Sequence, residues 1–162
     1  DYVPVSISNV RLGLLDIQLA GRFQVFLGQP IEIVDVAHNP DSARVLANNL
    51  ESMGSYNKTY AIFSMLKDKD VAGVVLALKH CVDIWLVSSL NTPRGVSGDE
   101  LAEVIENEGI KKEDGNVIVF HDPVAAYGFA CEQATKNDRI CVLGSFYTVG
   151  AVLQHKNVTR CE

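Results

Sequence analysis

Short apolar runs alternate along this chain with segments whose apolar residues recur at helical spacing. Five runs are almost continuously apolar, as in strands that are covered on both faces: Ile31–Val36, Thr59–Phe63, Ile84–Val87, Val117–Phe120 and Ile140–Leu143. Between them lie stripes typical of amphipathic helices: Ala43, Leu46, Ala47 and Leu50; Val71, Val74, Val75 and Leu78; Leu101, Val104 and Ile105; Tyr127, Ala130, Cys131 and Ala134. This alternation predicts an α/β fold with a doubly wound, mostly parallel sheet and helices on both faces.

The two ends of the chain follow a different pattern. Residues Val10 to Leu19 have a helical pattern, which Gly21 interrupts, and Arg22 to Phe26 is predicted to form a short antiparallel strand at the sheet edge. Residues 156–162 are expected to fray. With 162 residues the chain suits one domain, and it does not begin with Met, so we expect a fragment of a longer protein.

Charge and hydropathy exclude several classes of protein. The net charge of −6 is spread along the chain, whereas a nucleic-acid binder needs clustered Lys and Arg. The apolar runs are much shorter than the roughly 20 residues that span a bilayer. No secretory signal is visible at the start of the chain. We therefore expect a soluble, monomeric protein that binds neither nucleic acid nor membrane.

The four cysteines, Cys81, Cys131, Cys141 and Cys161, show no C-x-x-C spacing. Free cysteines are often buried, so we expect buried free thiols and a reducing cytoplasm. Three common motifs are also absent from the sequence: the P-loop, the G-x-G-x-x-G fingerprint and the nucleophile elbow G-x-S-x-G. Phosphate binding of the P-loop kind and a standard dinucleotide site are therefore not expected in this chain.

Polar residues gather where the predicted strands end. Parallel strands place their carboxyl ends at one edge of the sheet, which is where open α/β sheets bind ligands. The residues predicted at this edge are Asp35, His38, Ser64, Lys67, Asp68, Ser88, Ser89, Arg94, His121, Asp122 and Ser145. Part of this pattern is trivial, because every strand must end in a loop and loops are polar.

The turn after the first apolar run contains the most closely spaced polar and ionisable residues. Within four residues it offers the carboxylate of Asp35 and the imidazole of His38, and Asn39-Pro40 then starts a helix. His38 is suited to hydrogen-bond a substrate carboxylate, or alternatively to buttress the turn. Asp35 is suited to accept from a ribose hydroxyl, or alternatively from the adjoining backbone.

Two other segments offer anion contacts. Arg22 carries a planar guanidinium that pairs well with phosphate, although a lone Arg is more often a solvated surface residue. Ser145, after Gly144, offers a hydroxyl near a helix start, where anions are favoured, or alternatively caps that helix. We interpret Lys67 to Asp70 as a solvated loop and helix cap, and His80, His121 and His155 as structural or surface residues.

The chain also resembles a known family. The string Asp35-Val36-Ala37-His38-Asn39-Pro40 resembles the signature of the carboxy-terminal domain of the folylpolyglutamate and dihydrofolate synthases, which are Mur-type ATP-dependent amide ligases. Three further strings fit in the same order, together with a weaker match at Thr92 to Gly95: Ala20 to Gln24, Met65 to Asp70 and Gly144 to Gly150. The resemblance extends from about Val10 to Leu153. Many relatives have Gly at the position of Val36, which we interpret as subfamily variation.

The resemblance implies a specific function and a domain plan. Residues 1–22 would be the tail of a preceding ATP-binding domain and the linker, and residues 23–155 would be the Rossmann-like ligase domain. His38 and Ser145 would position L-glutamate, while Arg22 and Asp35 would contact ATP. The whole enzyme would use ATP and magnesium to add L-glutamate to dihydropteroate or tetrahydrofolate, and this chain alone would be inactive because its partner domain holds the phosphates. The alternatives are another Mur-type amide ligase, or a non-catalytic module that binds a small anion.

Overall fold

The computed structural model describes residues 21–159 and contains one six-stranded sheet. Its strands are β1 (Gln24–Phe26), β2 (Ile31–Val34), β3 (Thr59–Phe63), β4 (Ile84–Ser88), β5 (Val117–Phe120) and β6 (Arg139–Leu143). Their order across the sheet is β1-β2-β6-β3-β4-β5. The β1 strand pairs antiparallel with β2 and all other pairs are parallel, which confirms the predicted sheet and its antiparallel edge.

Five α-helices connect and flank the strands: α1 (Pro40–Ser52), α2 (Val71–Leu78), α3 (Gly98–Asn107), α4 (Pro123–Gln133) and α5 (Phe146–Thr159). A short 3-10 helix, Lys112–Asp114, precedes β5. The α1, α2 and α3 helices pack side by side, while α4 packs with α5 and against the central strands. The helices therefore form one layer on each face of the sheet, as predicted.

Each layer has its own hydrophobic core, because side chains from alternate residues of a strand point to opposite faces. The core under α1 to α3 includes the fully buried Trp85, whose ring meets Phe63 edge-on at 5.4 Å between centroids. The core under α4 and α5 includes Ile62 and Val142. The helical stripes supply most of the buried helix residues. Cys131 is an exception, since it is exposed although a buried thiol was expected.

The ends of β2 and of α5 differ from the prediction. The β2 strand ends at Val34, and the backbone N–H of Val36 then turns to the carbonyl of Gly21 at 2.7 Å. The α5 helix continues to Thr159, where a frayed tail was expected from residue 156. The reason is Lys156, which is buried and forms an ion pair with Glu32. The predicted helix at Val10 to Leu19, Cys161 and the end of the tail lie outside the described residues.

Candidate functional site

A cleft of about 210 Å³ opens at the carboxyl ends of β2, β3 and β6. The β6 strand lies between β2 and β3, but the helices that follow β3 and β6 lie on opposite faces of the sheet. Diverging connections of this kind leave a crevice at the strand ends, where open α/β sheets bind ligands. The cleft is lined by His38, Leu66, Lys69, Gly144, Ser145, Phe146 and Tyr147. Two residues predicted from separate segments, His38 and Ser145, therefore meet in one cleft.

A larger depression of about 470 Å³ lies at the opposite edge of the sheet. Its walls include Lys58, Asp83 and Asn116, which precede or begin β3, β4 and β5 at their amino ends. Open α/β sheets bind their ligands at the carboxyl ends of the strands and not at the amino ends. We therefore take the smaller cleft as the candidate site.

His38 is held in a fixed orientation by the turn before α1. Its Nδ1 lies 2.8 Å from the carbonyl oxygen of Val36, and because a carbonyl only accepts, Nδ1–H is the donor. Asn39 caps α1, and its side chain forms a reciprocal capping box with Ser42. Pro40 begins the helix, as predicted. This arrangement fixes the tautomer of the ring and leaves Nε2 as its other polar atom.

Ser145 lies at the start of α5, after a tight turn at Gly144. Gly144 has a φ of 105°, and a Cβ there would come within 2.5 Å of the carbonyl oxygen of Ser64. Only glycine fits this close approach of the β3 and β6 loops. The hydroxyl of Ser145 accepts from the backbone N–H of Thr148 at 3.0 Å, so Ser145 caps the helix as well as lining the cleft. The two interpretations of Ser145 are therefore compatible.

Lys69 contributes a cation to the cleft that the sequence interpretation placed in a solvated loop. Its side chain is 33% exposed, and its Nζ lies 3.1 Å from a carboxylate oxygen of Asp68. The hydrogen bond from Lys69 lowers the pKa of Asp68 below its usual value. The signal that was available is position, since Lys69 follows the second apolar run, Thr59–Phe63, by only a few residues and so belongs to the same edge as His38.

Asp35 points toward the backbone of Phe23 rather than into the cleft. One of its carboxylate oxygens accepts from the backbone N–H of Phe23 at 2.8 Å, and the other accepts from Ala37 at 2.7 Å. Phe23 has a φ of 41°, an unusual backbone conformation for a side-chain-bearing residue that the Asp35 contact helps to hold. Burial raises the pKa of Asp35, while these hydrogen bonds and the charge of Arg22 act in the opposite direction. The structure thus shows Asp35 bonded to the adjoining backbone, which was the alternative to a contact with a ribose hydroxyl. Each carboxylate oxygen still has a second lone pair that can accept a hydrogen bond.

Arg22 is exposed in the segment before β1, next to Phe23, whose backbone Asp35 anchors. It does not line the cleft with His38 and Ser145. An exposed guanidinium at this place faces outward from the domain, so a phosphate partner would have to come from outside the described residues. The proposed contacts to ATP and to the amino acid therefore occupy two separate places.

Two aromatic side chains flank the mouth of the cleft. Phe146 is 62% exposed and Tyr147 is 54% exposed, although both lie on the first turn of α5 next to buried Ser145. Large apolar side chains in a cleft wall commonly contribute contact area for a ligand. The sequence interpretation treated them only as the start of a helix, because their orientation depends on how α5 leaves the sheet.

The remaining polar residues of the predicted edge do not enter the cleft. Ser64 and Ser88 are fully buried and share a hydrogen bond of 2.7 Å between their hydroxyls. Arg94 pairs with Asp68 at 3.8 Å, and the exposed His121 pairs with its neighbour Asp122 at 2.8 Å. His80 is also exposed and pairs with Glu51. The structural or surface role predicted for His80 and His121 agrees with these contacts.

The described residues 21–159 include no group of three or more His, Cys, Asp or Glu side chains that could hold a metal ion. In the same part of the chain, no helix is both long enough and apolar enough to cross a membrane. Cys81, Cys131 and Cys141 are free thiols.

Comparison with known proteins gives a consistent result. The family model of the Mur ligase glutamate ligase domain matches residues 21–146. The dihydrofolate synthase/folylpolyglutamate synthase of Escherichia coli is 35% identical over 150 residues, which cover 93% of this chain and 33% of that protein. The corresponding protein of Haemophilus influenzae is 36% identical over 170 residues, covering 91% of this chain and 38% of that protein.

Solved structures agree with this assignment. FolC of Escherichia coli in complex with ADP superimposes with a TM-score of 0.88 at 33% identity, covering 99% of this chain and 37% of that chain. A bifunctional folylpolyglutamate synthase/dihydrofolate synthase solved with Mn, AMPPNP and L-glutamate has a TM-score of 0.84 at 38% identity, covering 96% of this chain and 36% of that chain.

The chain thus spans about a third of the length of the relatives it matches. The strings around His38 and Ser145 lie within or at the end of the matched range, and the observed sheet is that of the solved relatives. The chain belongs to the Mur ligase family, of which it is a glutamate ligase domain.

Proposed function

We propose that this chain is the glutamate-binding domain of an ATP-dependent ligase that adds L-glutamate to dihydropteroate or tetrahydrofolate. The observation that carries this proposal is the meeting of His38 and Ser145, from loops more than a hundred residues apart, in one cleft of a glutamate ligase domain. A relative with 38% identity was solved with L-glutamate bound, which supports this amino acid as the ligand.

The chemistry of the cleft suits an acidic amino acid. Lys69 brings a cation, and the start of α5 brings backbone N–H groups and the positive end of the helix dipole. His38 and Ser145 add polar atoms in fixed orientations. Leu66, Phe146 and Tyr147 supply apolar walls that suit the methylene groups of the ligand. A volume of about 210 Å³ fits a small metabolite better than a folate.

We propose that this domain contributes only a small part of the binding site for ATP and magnesium. The described residues lack a cluster of metal ligands, and the sequence lacks a P-loop, so the nucleotide and its metal would be held mainly by another part of the protein. Arg22 is exposed and available to contact a phosphate. Asp35 keeps the linker in place and retains acceptor capacity for a hydroxyl.

The contribution to catalysis would be positioning. In the proposed reaction ATP converts the folate carboxylate to an acyl phosphate, and the amine of glutamate displaces the phosphate as the amide forms. Holding two reactants in the correct geometry lowers a barrier by up to roughly 7–11 kcal/mol. Closure of the domain over the site would also limit hydrolysis of the activated acid by water. We further propose a cytoplasmic, monomeric enzyme that acts on no nucleic acid.

Calorimetric titration of the chain with L-glutamate tests the binding role. We expect saturable binding that His38→Ala weakens, whereas the matched control His121→Ala, at an exposed histidine beyond β5, leaves it unchanged. Parallel titrations with D-glutamate, L-alanine and L-glutamine distinguish this function from that of another Mur-type ligase. If L-glutamate does not bind, or binds equally well to both variants, the proposed function is wrong.

A second assay tests the division of labour. The chain mixed with ATP, L-glutamate and dihydropteroate should release no phosphate above background, since it lacks a P-loop. In the full-length ligase, His38→Ala should raise the KM for glutamate or lower kcat without changing the binding of pteroate. Turnover by the isolated chain would contradict the proposal.

A further inference from the structure

A separate depression of about 380 Å³ lies at the amino ends of β3 and β6, on the opposite edge of the sheet from the cleft. Two polar side chains in its wall are almost completely buried: Arg139, the first residue of β6, is 5% exposed, and Thr59, the first residue of β3, is 3% exposed. The ring of Tyr56 covers one face of the guanidinium, with Cζ of Arg139 4.9 Å from the ring centroid. Any further partner must therefore approach the guanidinium in its plane or from its other face.

The positive charge of Arg139 is not neutralised by a carboxylate. Within residues 21–159, no Asp or Glu oxygen forms an ion pair with it. Its Nε and Nη2 both donate to the hydroxyl oxygen of Thr59, at 3.2 and 2.9 Å, and its Nη1 donates to the carbonyl of Leu50 at 2.6 Å. A guanidinium has five N–H bonds, so one on Nη1 and one on Nη2 remain without an acceptor in this part of the chain. A buried charge of this kind is unfavourable unless a partner compensates it.

Thr59 adds a third donor that has no acceptor. Its hydroxyl oxygen has two lone pairs, and the two N–H groups of Arg139 occupy both of them. The hydroxyl proton must therefore be donated elsewhere, and the described residues offer it no acceptor. Because Thr59 and Arg139 both line the depression, three unused donors border it. Such a group of donors suits the oxygens of an anion.

Two carboxylates also line the depression. Glu51 Oε1 lies 2.9 Å from Nε2 of His80, and an oxygen of Asp83 accepts from the backbone N–H of Thr59 at 2.7 Å. Both carboxylates therefore have partners of their own, but their negative charge still repels a bound anion. This repulsion favours a small anion with a low charge over a polyanion.

We propose that Arg139 and Thr59 bind a small oxyanion, a phosphate or carboxylate group, in this depression. Two oxygens of the anion accept the free N–H bonds on Nη1 and Nη2 of Arg139, and the hydroxyl of Thr59 donates to one of them. The site is separate from the cleft and does not depend on the proposed function. Since the anion binds the folded chain and compensates its buried charge, it also stabilises the domain.

Proton–nitrogen NMR of the chain tests this proposal, with the Nε–H of Arg139 and the backbone amide of Thr59 as reporters. Sodium phosphate and sodium acetate are titrated separately at an ionic strength held constant with sodium chloride, because salt screens interactions between charges. We expect a saturable shift of both reporters with at least one of these anions. The anion that saturates at the lower concentration identifies the bound group as a phosphate or a carboxylate.

Three variants define which side chains are responsible, with the amide of Thr59 as the common reporter. Arg139→Lys keeps the charge but loses the planar fork, so it should weaken binding at least about tenfold. Glu51→Gln removes a negative charge and keeps a polar group beside His80, so it should strengthen binding about twofold. The matched control Arg94→Lys, at an exposed arginine on the opposite edge of the sheet, should leave binding unchanged.

The absence of a saturable shift at Arg139 and Thr59 in the wild-type chain would overturn the proposal. Binding that Arg94→Lys weakens as much as Arg139→Lys would overturn it too, since the anion would then be held by surface charge in general. A variant that fails to fold cannot gain affinity, so Glu51→Gln remains decisive even if Arg139→Lys is unstable. Unchanged or weaker binding by Glu51→Gln would show that the anion does not lie in this depression.

Discussion

The loops after β3 and β6 approach each other closely at Gly144, so a substitution there should have a large and measurable effect on stability. Gly144 has a φ of 105°, and an added Cβ would lie 2.5 Å from the carbonyl oxygen of Ser64 and 3.0 Å from the ring of Phe63. The substitution Gly144→Ala therefore introduces both backbone strain and a clash with backbone that cannot rotate away. The same carbonyl accepts the hydroxyl of Thr148, so separating the loops also disturbs the cap at Ser145.

The free-energy costs of the backbone strain and of the clash can be judged separately. An unfavourable positive φ costs about 1–3 kcal/mol. Overpacking by a methyl group in a tight site costs typically about 1–3 kcal/mol. We therefore expect Gly144→Ala to lower the free energy of unfolding by about 4 kcal/mol, which is a large fraction of the stability of an ordinary domain.

Two other glycines separate these contributions. Gly54 has a φ of 91° but no heavy atom within 4 Å of an added Cβ, so Gly54→Ala measures the backbone cost alone. Gly150 lies on α5 with open space around it, and Gly150→Ala should be neutral or stabilising by up to about 1 kcal/mol. The ordering of the three variants is thus predicted as well as the size of the largest effect.

Urea denaturation followed by fluorescence provides the measurement, since Trp85 is the single tryptophan of the chain and is fully buried. Equal m values across the variants would show that the unfolded states are comparable. Gly144→Ala should also bind L-glutamate more weakly than Gly54→Ala does. If the unfolding free energies of Gly144→Ala and Gly54→Ala agree within about 1 kcal/mol, the close approach of the two loops contributes little and our reasoning is wrong.

Two further predictions concern titratable groups. Burial raises the pKa of Cys81 to about 11, so this thiol should react with iodoacetamide at about pH 8 at least a hundredfold more slowly than in the urea-unfolded chain, as peptide mass spectrometry would measure. Equal rates in the two states would contradict this expectation. Burial also raises the pKa of Asp35 in the folded state. Folding therefore takes up a proton at pH values between the pKa of Asp35 in the unfolded chain and its pKa in the folded chain. As the pH rises through this range, the contribution of Asp35 to stability falls. Carbon-13 NMR of the Asp35 carboxyl group against pH should give a midpoint above the ordinary aspartic acid pKa of 3.8, and a midpoint below it would contradict this prediction.

The cleft itself could be predicted only in part. His38 was identified because a polar turn directly after a buried strand is a local feature, and Ser145 because it follows the last strand in the same way. The surroundings of Lys69 and Asp35 were not predicted from the sequence. Lys69 is at the cleft and Asp35 faces the backbone of Phe23 because the direction of a side chain at a strand end depends on the loop that follows it.

The pattern of apolar residues alone determined the class of fold and the identity of most core residues. These properties follow from periodicity, which is local: a strand buried on both faces needs a continuous apolar run, and a helix on a sheet needs an apolar stripe. A short antiparallel strand at the sheet edge was also predicted, and the structure pairs it with β2.

Only the tertiary structure decided which strands are neighbours and therefore which residues share the cleft. The last strand, β6, is inserted between β2 and β3, so that Ser145 comes to lie beside His38 although their positions in the chain are far apart. The surroundings of Ser145 were decided there too, because its partner Thr148 in turn donates to the carbonyl of Ser64, just after β3. Contacts of this kind join distant segments, and their energies depend on packing that no local pattern of residues contains.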